Sequence, residues 1–458
     1  TLDYCVEDAG LNIKEIKNLK LTGNINSRDF AVIRELMTSV ESLNLKEVAI
    51  KGTEGGAFGE RGEIRYRKGD DRQIPSGALL DKESLIHLTL PESITSIGQG
   101  AFQQCSHLSG SLIIPDGVTR IETTAFYKCS LLSGILSLPE SLTAIGEAAF
   151  SDCRFTCELL LPSYLESVGR NAFQNCNEIY GELHFPESLK SIGEGAFAGM
   201  SSLTGSITFP QSITEIPKNL FSGCPGLKGL TLHNGIRSIG KWAFAKSGFK
   251  SELILPDGLT SISQSAFSFC NFTGRLVIPK DVSIIEDAAF AGNGFSGIIE
   301  LPDGITSIGQ SAFDGCRDIE GLIIPAGLET IPRGAFNGCN GINRIVCKGT
   351  IPPNIQSGAF AGVPKDNFTV EVPESAVAQY QTAKGWNEFK RISAYRNLVI
   401  RPSVASALNT KTTRELILDA DDEWEVESMP GWVTLSQKEG KGKTLLKLEF
   451  LQMPKGKN

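Results

Sequence analysis

The sequence predicts a mainly β protein: a curved solenoid of about 13 coils with one parallel strand ladder and helical caps, followed by a small β-sandwich. Three observations predict this. An Ala-Phe motif returns every 23 or 24 residues, a short apolar run ending in proline keeps step with it, and both patterns stop before about residue 397. Units of this length cannot bury an apolar face alone, so they stack on their neighbours.

The Ala-Phe motif, which is Leu-Phe once, occurs twelve times. A weaker copy, Ala78-Leu79, lies 23 residues before the first. One such ring per coil predicts a column of buried side chains in a shared interior. The phenylalanines are Phe102, Phe126, Phe150, Phe173, Phe197, Phe221, Phe244, Phe267, Phe290, Phe313, Phe336 and Phe360.

The apolar run before each proline predicts a short strand. Proline cannot donate to a sheet ladder, so it marks where the strand ends, and His233 takes its place once. The residues one and three before it, such as Ile114 and Leu112, are large and apolar, whereas the residue two before it varies. This period of two indicates one buried side. The outward row is Thr89, Ile113, Ser137, Leu160, His184, Thr208, Thr231, Ile254, Val277, Glu300 and Ile323.

The first 73 residues predict an N-terminal cap, because a terminal coil would otherwise expose its apolar face. The segment INSRDFAVIRELMTSV has the spacing of an amphipathic helix, and Asn26 or Ser27 can cap it. We expect Phe30 and Ile33 on its buried face. The charged stretch from Glu60 to Arg72 is predicted to be an exposed loop.

The solenoid is assigned to residues 74–393, and residues 394–458 to a separate domain. A helix from about Ser375 to Lys384, ended by Gly385, is expected to close the last coil together with Trp386 and Phe389. Beyond it, short alternating runs separated by turn residues are typical of a small β-sandwich.

The repeat unit SITSIGQGAFQQCSHLSGSLIIPDG resembles the BspA-type leucine-rich repeat over about residues 74–372. This resemblance implies a curved leucine-rich-repeat solenoid, and a secreted or surface-exposed protein of gut or oral anaerobic bacteria that adheres to proteins or cells. The stretch EWEVESMPGWVTLSQKEGKGKTLLKLEF resembles a BACON domain, an immunoglobulin-like β-sandwich found on surface proteins of gut bacteria. The domain is short for that family.

Eight of the eleven cysteines share one repeat position, three residues after the phenylalanine. Met200 and Val363 replace cysteine in two units, so the position is interpreted as one for a medium-sized apolar group. Stacking at about 4.8 Å keeps parallel Cβ atoms farther apart than the roughly 3.8 Å of a disulfide. We therefore expect reduced, buried thiols, and leave open whether Cys153 and Cys157 are bonded.

Composition and motifs argue against several classes of function. A net charge of −8 disfavours nucleic acid, and no apolar run approaches the roughly 18 residues of a membrane span. None of the four histidines has metal-ligand spacing from another, and no nucleophile–base set emerges. The G-x-G-x-x-G match at 292–297 precedes a strand rather than a helix. We expect no enzyme, no cofactor and no metal ion.

The outward row is the predicted binding face, because half of it is apolar on an exposed sheet; the alternative is that β-branched residues simply suit strands. It lacks aromatic residues, which favours an extracellular protein partner, from host matrix or a neighbouring cell, over a sugar. Glycan capture through Trp424 or Trp432 is the alternative function. Trp242, whose equivalents are small, is either an isolated anchor or a core filler.

Overall fold

The structure is a computed structural model of the 458-residue chain. It describes residues 1–58 and 64–394, and of the following residues only the backbone of six strands. Residues 1–58 and 64–394 include a parallel β-solenoid of about 16 turns with few helices. Among the described residues, no helix is both long enough and apolar enough to span a membrane.

One ladder of this solenoid, here called the front ladder, contains the strands that precede the repeat prolines and their equivalents. Its neighbouring strands pair in parallel, with Leu112 opposite Leu136 and Ile113 opposite Ser137. Its strands are Asn18–Ile25, Ser42–Ile50, His87–Thr89, Leu112–Ile113, Leu136–Ser137, Gly181–Glu182, Leu203–Thr208, Leu227–Thr231, Thr273–Arg275, Gly294–Glu300, Ile319–Ile324, Arg344–Cys347, Val370–Val372 and Ile392–Ala394.

A second parallel ladder, the side ladder, corrects the prediction of a single ladder. Its strands have two residues each, so the sequence contains no alternation by which to recognise them. In Ser96–Ile97, for example, the isoleucine is buried in the interior. Its strands are Gln73–Ile74, Ser96–Ile97, Arg120–Ile121, Ala144–Ile145, Ser167–Val168, Ser191–Ile192, Glu215–Ile216, Ser238–Ile239, Ser261–Ile262, Ile284–Ile285, Ser307–Ile308, Thr330–Ile331 and Asn354–Ile355.

The count of about 13 coils was too low, because three further turns lack the Ala-Phe motif. Asn18–Ile25 and Ser42–Ile50 pair in parallel with each other and continue to His87–Thr89. At the other end, Ile392–Ala394 pairs with Val370–Val372. Segments predicted to act only as caps therefore also extend the front ladder.

The N-terminal cap holds two helices, Leu2–Asp8 (α1) and Ser27–Glu35 (α2). As predicted, Asn26 caps α2, in a capping box with Asp29. The helix is shorter than predicted and ends at Glu35, although Met37 and Val40 beyond it are buried. The Arg28 guanidinium donates to both carboxylate oxygens of Asp3, at 2.9 and 2.8 Å, and so ties α1 to α2.

The charged stretch from Glu60 to Arg72 is not wholly a loop. Strands Gly56–Phe58 and Ile64–Tyr66 pair antiparallel on either side of residues that lie outside the described part. The Phe58 and Tyr66 rings lie 6.3 Å apart, and the Arg28 guanidinium sits 4.4 Å from the centre of the Phe58 ring. Apolar residues among the charges thus form a hairpin over α2.

The C-terminal cap follows the prediction with small changes. A 3-10 turn, Glu374–Ala376, precedes Val377–Thr382 (α3), and a second 3-10 turn, Trp386–Glu388, follows Gly385, which has a φ of +85°. Trp386 is fully buried, and its indole N–H donates to the Pro353 carbonyl at 2.8 Å. Its ring centre lies 6.1 Å from that of Phe360, so it covers the last repeat phenylalanine.

The twelve repeat phenylalanines form one continuous stack inside the solenoid, as predicted. Neighbouring ring centres lie 5.0–6.3 Å apart with interplanar angles of 4–21°. All twelve rings are buried. Near-parallel rings at this distance are offset-stacked, which adds roughly 0.5–1.5 kcal/mol per pair to the burial of their area.

The repeat cysteines are free, buried thiols, and their position is more than apolar. Each donates its S–H to a main-chain carbonyl about one coil earlier, as Cys129 does to Phe102 at 3.1 Å. Two units missed in the sequence keep this donor without sulfur: Ser247 bonds Phe221 at 2.8 Å, and Asn293 bonds Phe267 at 2.7 Å. The interpretation as a purely apolar position was therefore incomplete.

The strands after residue 394 pair antiparallel, unlike the solenoid ladders. Leu398–Arg401, Thr412–Ala420, Thr444–Phe450 and Val433–Leu435 form a four-stranded sheet in that order. Glu423–Glu425 pairs with Glu439–Lys441. The predicted change of architecture after the repeats agrees with this pairing; the packing of the two sheets lies outside the described residues.

Replacement of two adjacent leucines by alanine should have unequal effects. Leu159 is 2% exposed and Leu160 72% exposed. We expect Leu159→Ala to lower the free energy of unfolding by about 2–5 kcal/mol, because it leaves a cavity, and Leu160→Ala to change it by less than about 0.5 kcal/mol. Urea denaturation followed by circular dichroism measures both; equal losses would contradict the alternation.

Thiol labelling at pH 8 should find one reactive cysteine in the native protein. Burial raises the pKa of Cys224, Cys270 and Cys316 to about 12, so almost none of these groups is thiolate, the reactive form, at that pH. Cys5 is exposed. A thiol-exchange reagent should react with one group per folded chain and with all eleven in guanidinium. Several fast thiols in the native state would contradict the buried column.

Candidate binding face

The predicted binding row lies on the outer surface of the front ladder. Ten of its eleven residues are exposed, and Ile323 is half-buried. Alternation along each strand causes this, since Leu112 and Ile114 point inward on either side of Ile113. The register brings row members of consecutive coils opposite each other, as Thr208 with Thr231 and Glu300 with Ile323. The structure thus presents the row as one column.

The exposed apolar side chains of the front ladder form two groups. The first apolar patch comprises Ile113, Ile135 and Leu160, which are 59%, 58% and 72% exposed. The second comprises Ile254 and Val277, 71% and 62% exposed. Ile135 was missed in the sequence because the row was limited to the position two before proline, and the position four before it also faces outward. Apolar groups this exposed are available for contact with another molecule.

Polar residues separate and follow the two patches. His184, Thr208 and Thr231 lie between them, all exposed. Beyond the second patch, Lys348 lies 3.1 Å from the Glu300 carboxylate and 3.0 Å from that of Asp303. Ion pairs exposed to this degree contribute roughly 0–1 kcal/mol, so they set local charge rather than stability.

The histidines are held in structural or exposed positions. His233, which replaces a proline, has Nε2 3.1 Å from the Pro210 carbonyl and accepts the Gly235 N–H at Nδ1. His184 is exposed, 3.8 Å from Glu182. Among the described residues, no three His, Cys, Asp or Glu side chains come together as a possible metal site. The G-x-G-x-x-G match runs into the strand Gly294–Glu300.

Trp242 lies on a different surface from the row. It is half-buried, and the Lys218 ammonium sits 5.4 Å from the centre of its ring. Its backbone has a φ of +55°, in the left-handed region that costs most residues roughly 1–2 kcal/mol. It is neither a core residue nor fully exposed. The other tryptophans proposed for binding are not positioned: Trp432 lies outside the described residues, and Trp424 is described only as part of a strand.

The comparisons with solved structures support the fold. A leucine-rich repeat protein from Bacteroides ovatus is 23% identical over 72% of this chain and 88% of its own, with a TM-score of 0.52. A leucine rich cell surface protein from Faecalibacterium prausnitzii is 21% identical over 71% and 83%, with a TM-score of 0.41. A leucine rich repeat protein from T. pallidum is 30% identical over 38% and 70%, with a TM-score of 0.28.

The sequence of the repeats identifies the family. No curated protein matches this chain. The family model for the BspA type leucine rich repeat region matches in six copies, over residues 72–204, 180–296 and 270–380. Together these matches span about two thirds of the 458 residues. The chain belongs to the BspA type leucine-rich repeat family.

Proposed function

We propose that this chain is a non-enzymatic, secreted or cell-surface binding protein whose front ladder contacts an extracellular protein. The observation that carries the proposal is the pair of apolar patches, which are exposed on a rigid sheet. Leucine-rich repeat solenoids of this kind are typically non-catalytic binding scaffolds, which supports it. The surface location is proposed from the same family relationship.

The geometry of the front ladder favours a protein partner. Each outward side chain is anchored by buried neighbours on the same strand, so little conformational entropy is lost when a partner covers it. Several consecutive coils can together supply the roughly 800 Å² per partner that a stable protein interface needs. The row residues Ile113, Leu160 and Ile254 are aliphatic, and no aromatic ring stands in the row to stack on a sugar.

Three lysines placed in the apolar patches should abolish capture of the partner. We expect the triple variant Ile113→Lys, Leu160→Lys and Ile254→Lys to lose at least tenfold in affinity for any extracellular-matrix protein that the unchanged chain binds, because each ammonium would be desolvated in the interface. Biolayer interferometry against a panel of immobilised matrix proteins and bacterial surface extracts measures this.

A control variant places the same charges elsewhere. Gln99, Gln310 and Ser357 are exposed outside the front ladder. Their triple replacement by lysine also raises the net charge from −8 to −5, but should leave binding unchanged. Equal loss in both variants would indicate a charge effect. Unchanged binding in the first variant would exclude the front ladder as the contact surface.

We also propose that residues 394–458 form a BACON-like β-sandwich. The antiparallel pairing of its strands, with Thr412–Ala420 between Leu398–Arg401 and Thr444–Phe450, supports this. Glycan capture through Trp424 or Trp432 is the second candidate function of the chain. A glycan array probed with the whole chain and with a Trp424→Ala, Trp432→Ala variant tests it; equal signals would remove those residues as the binding site.

A further inference from the structure

We propose that a second surface of the solenoid, on the coils of Trp242 and Phe269, binds an acidic glycan. The surface is called the aromatic corner, and it comprises Trp242, Phe269, Lys218 and Lys246. It goes beyond the proposed protein-binding face and is separate from it, because Trp242 lies half a coil from both Thr231 and Ile254 of the front ladder.

Both rings stand at backbone positions that do not favour them. Every coil turns through two left-handed residues, one directly before the Ala-Phe pair and one two residues after the phenylalanine. Trp242 has a φ of +55° at the first position and Phe269 a φ of +54° at the second. Bulky residues with positive φ are true outliers, and such strain gathers at functional sites.

The equivalent residues in the other coils show what the backbone prefers. At the second position they are glycine or flexible polar residues. At the first position they are glycine or small, namely Gly77, Gly100, Thr124, Ala148, Asn171, Gly195, Asn219, Ser265, Ala288, Ser311, Gly334 and Gly358. Neither aromatic side chain is therefore explained by the needs of the coil.

The Phe269 ring lies across the next coil with much of its surface open. The ring occupies the space that a side chain at Gly292 would take, since its Cδ1 is 2.4 Å from where a Cβ would stand. It is 58% exposed. The following coils have Gly315 and Gly338 at the same position, so no side chain there covers the ring. An aromatic face held in this way suits stacking against the C–H face of a sugar.

Two lysines give the aromatic corner a positive charge. Lys218 lies over Trp242, and Lys246 occupies the same corner position as Phe269 one coil earlier. Neither forms an ion pair with any other residue that the structure describes, whereas nearby Lys241 is 3.3 Å from Glu286. Unpaired ammonium groups beside an aromatic platform favour a ligand that carries carboxylates.

The size of the surface favours a glycan over a protein. The residues around the rings are small, namely Ala245, Ser268 and Ala291, so the rings do not belong to a continuous apolar area. A stable protein interface needs roughly 800 Å² per partner with an apolar centre. Two separate rings flanked by lysines match a few sugar units with acidic groups.

The experiment uses the whole chain and three carboxylate-bearing polymers: polygalacturonate, hyaluronan and polysialic acid. Fully methyl-esterified polygalacturonate is the uncharged control, with the same sugar backbone. We expect binding to at least one acidic polymer, measured by isothermal titration calorimetry, and at least tenfold weaker binding to the ester. If no acidic polymer binds, the proposal is wrong.

Phe269→Asn separates a binding role from a structural one. Asparagine adopts positive φ readily, and Asn175 holds the same position in another coil. We expect this variant to bind the acidic polymer at least tenfold more weakly while its melting temperature stays unchanged or rises. A large fall in melting temperature, or unchanged binding, would each overturn the proposal.

The lysines are tested by a matched pair of double variants. Lys218→Gln with Lys246→Gln should reduce the preference for the acid over the ester, whereas Lys250→Gln with Lys280→Gln removes the same charge outside the corner and should not. The front-ladder triple lysine variant should still bind the polymer, so failure of one proposal is distinguishable from failure of the other. If Phe269→Asn instead lowers only protein capture, the corner is a protein site and the glycan proposal is overturned.

Discussion

Three backbone hydrogen bonds tie each coil to the next at the Ala-Phe corner, and the rest of the solenoid depends on them. In one coil, the N–H groups of residues 100, 102 and 104 donate to the carbonyls of residues 123, 125 and 127 at 2.9, 2.8 and 2.7 Å. Buried N–H groups are costly to leave unpaired. The chain therefore follows one path in every coil, with two left-handed residues, and that path places each phenylalanine over the previous one.

The same repetition explains which residues the interior accepts. The carbonyl of each repeat phenylalanine already accepts an N–H three residues later, as Phe102 does from Cys105 at 3.2 Å, and it can accept one more donor. A thiol fits there because it is small, buries well and donates weakly. Ser247 and Asn293 fit for the donor alone. Cysteine is thus one solution among three, which makes a redox role unnecessary to explain the column.

Much of this fold could be predicted from the sequence because its strongest constraints recur every 23 or 24 residues. The phenylalanine stack and the inward positions of the front ladder, such as Leu112, needed only the period. The side ladder could not be predicted, since two residues carry no alternation. The terminal turns lacked the marker residues. The candidate face was found in part: the row was identified, but Ile135 was not, and Phe269 drew no notice because its backbone conformation is invisible in the sequence.

The two candidate surfaces differ in how much their residues reveal. A strand accepts many outward side chains, and β-branched ones suit it, so an isoleucine such as Ile254 is partly explained by the strand itself. The left-handed corner accepts few, so Trp242 and Phe269 oppose the local preference of the backbone. A residue that local structure disfavours demands another cause more strongly than one that local structure favours. Two aromatic residues in consecutive coils of the corner therefore carry more functional information per residue than the longer row on the front ladder.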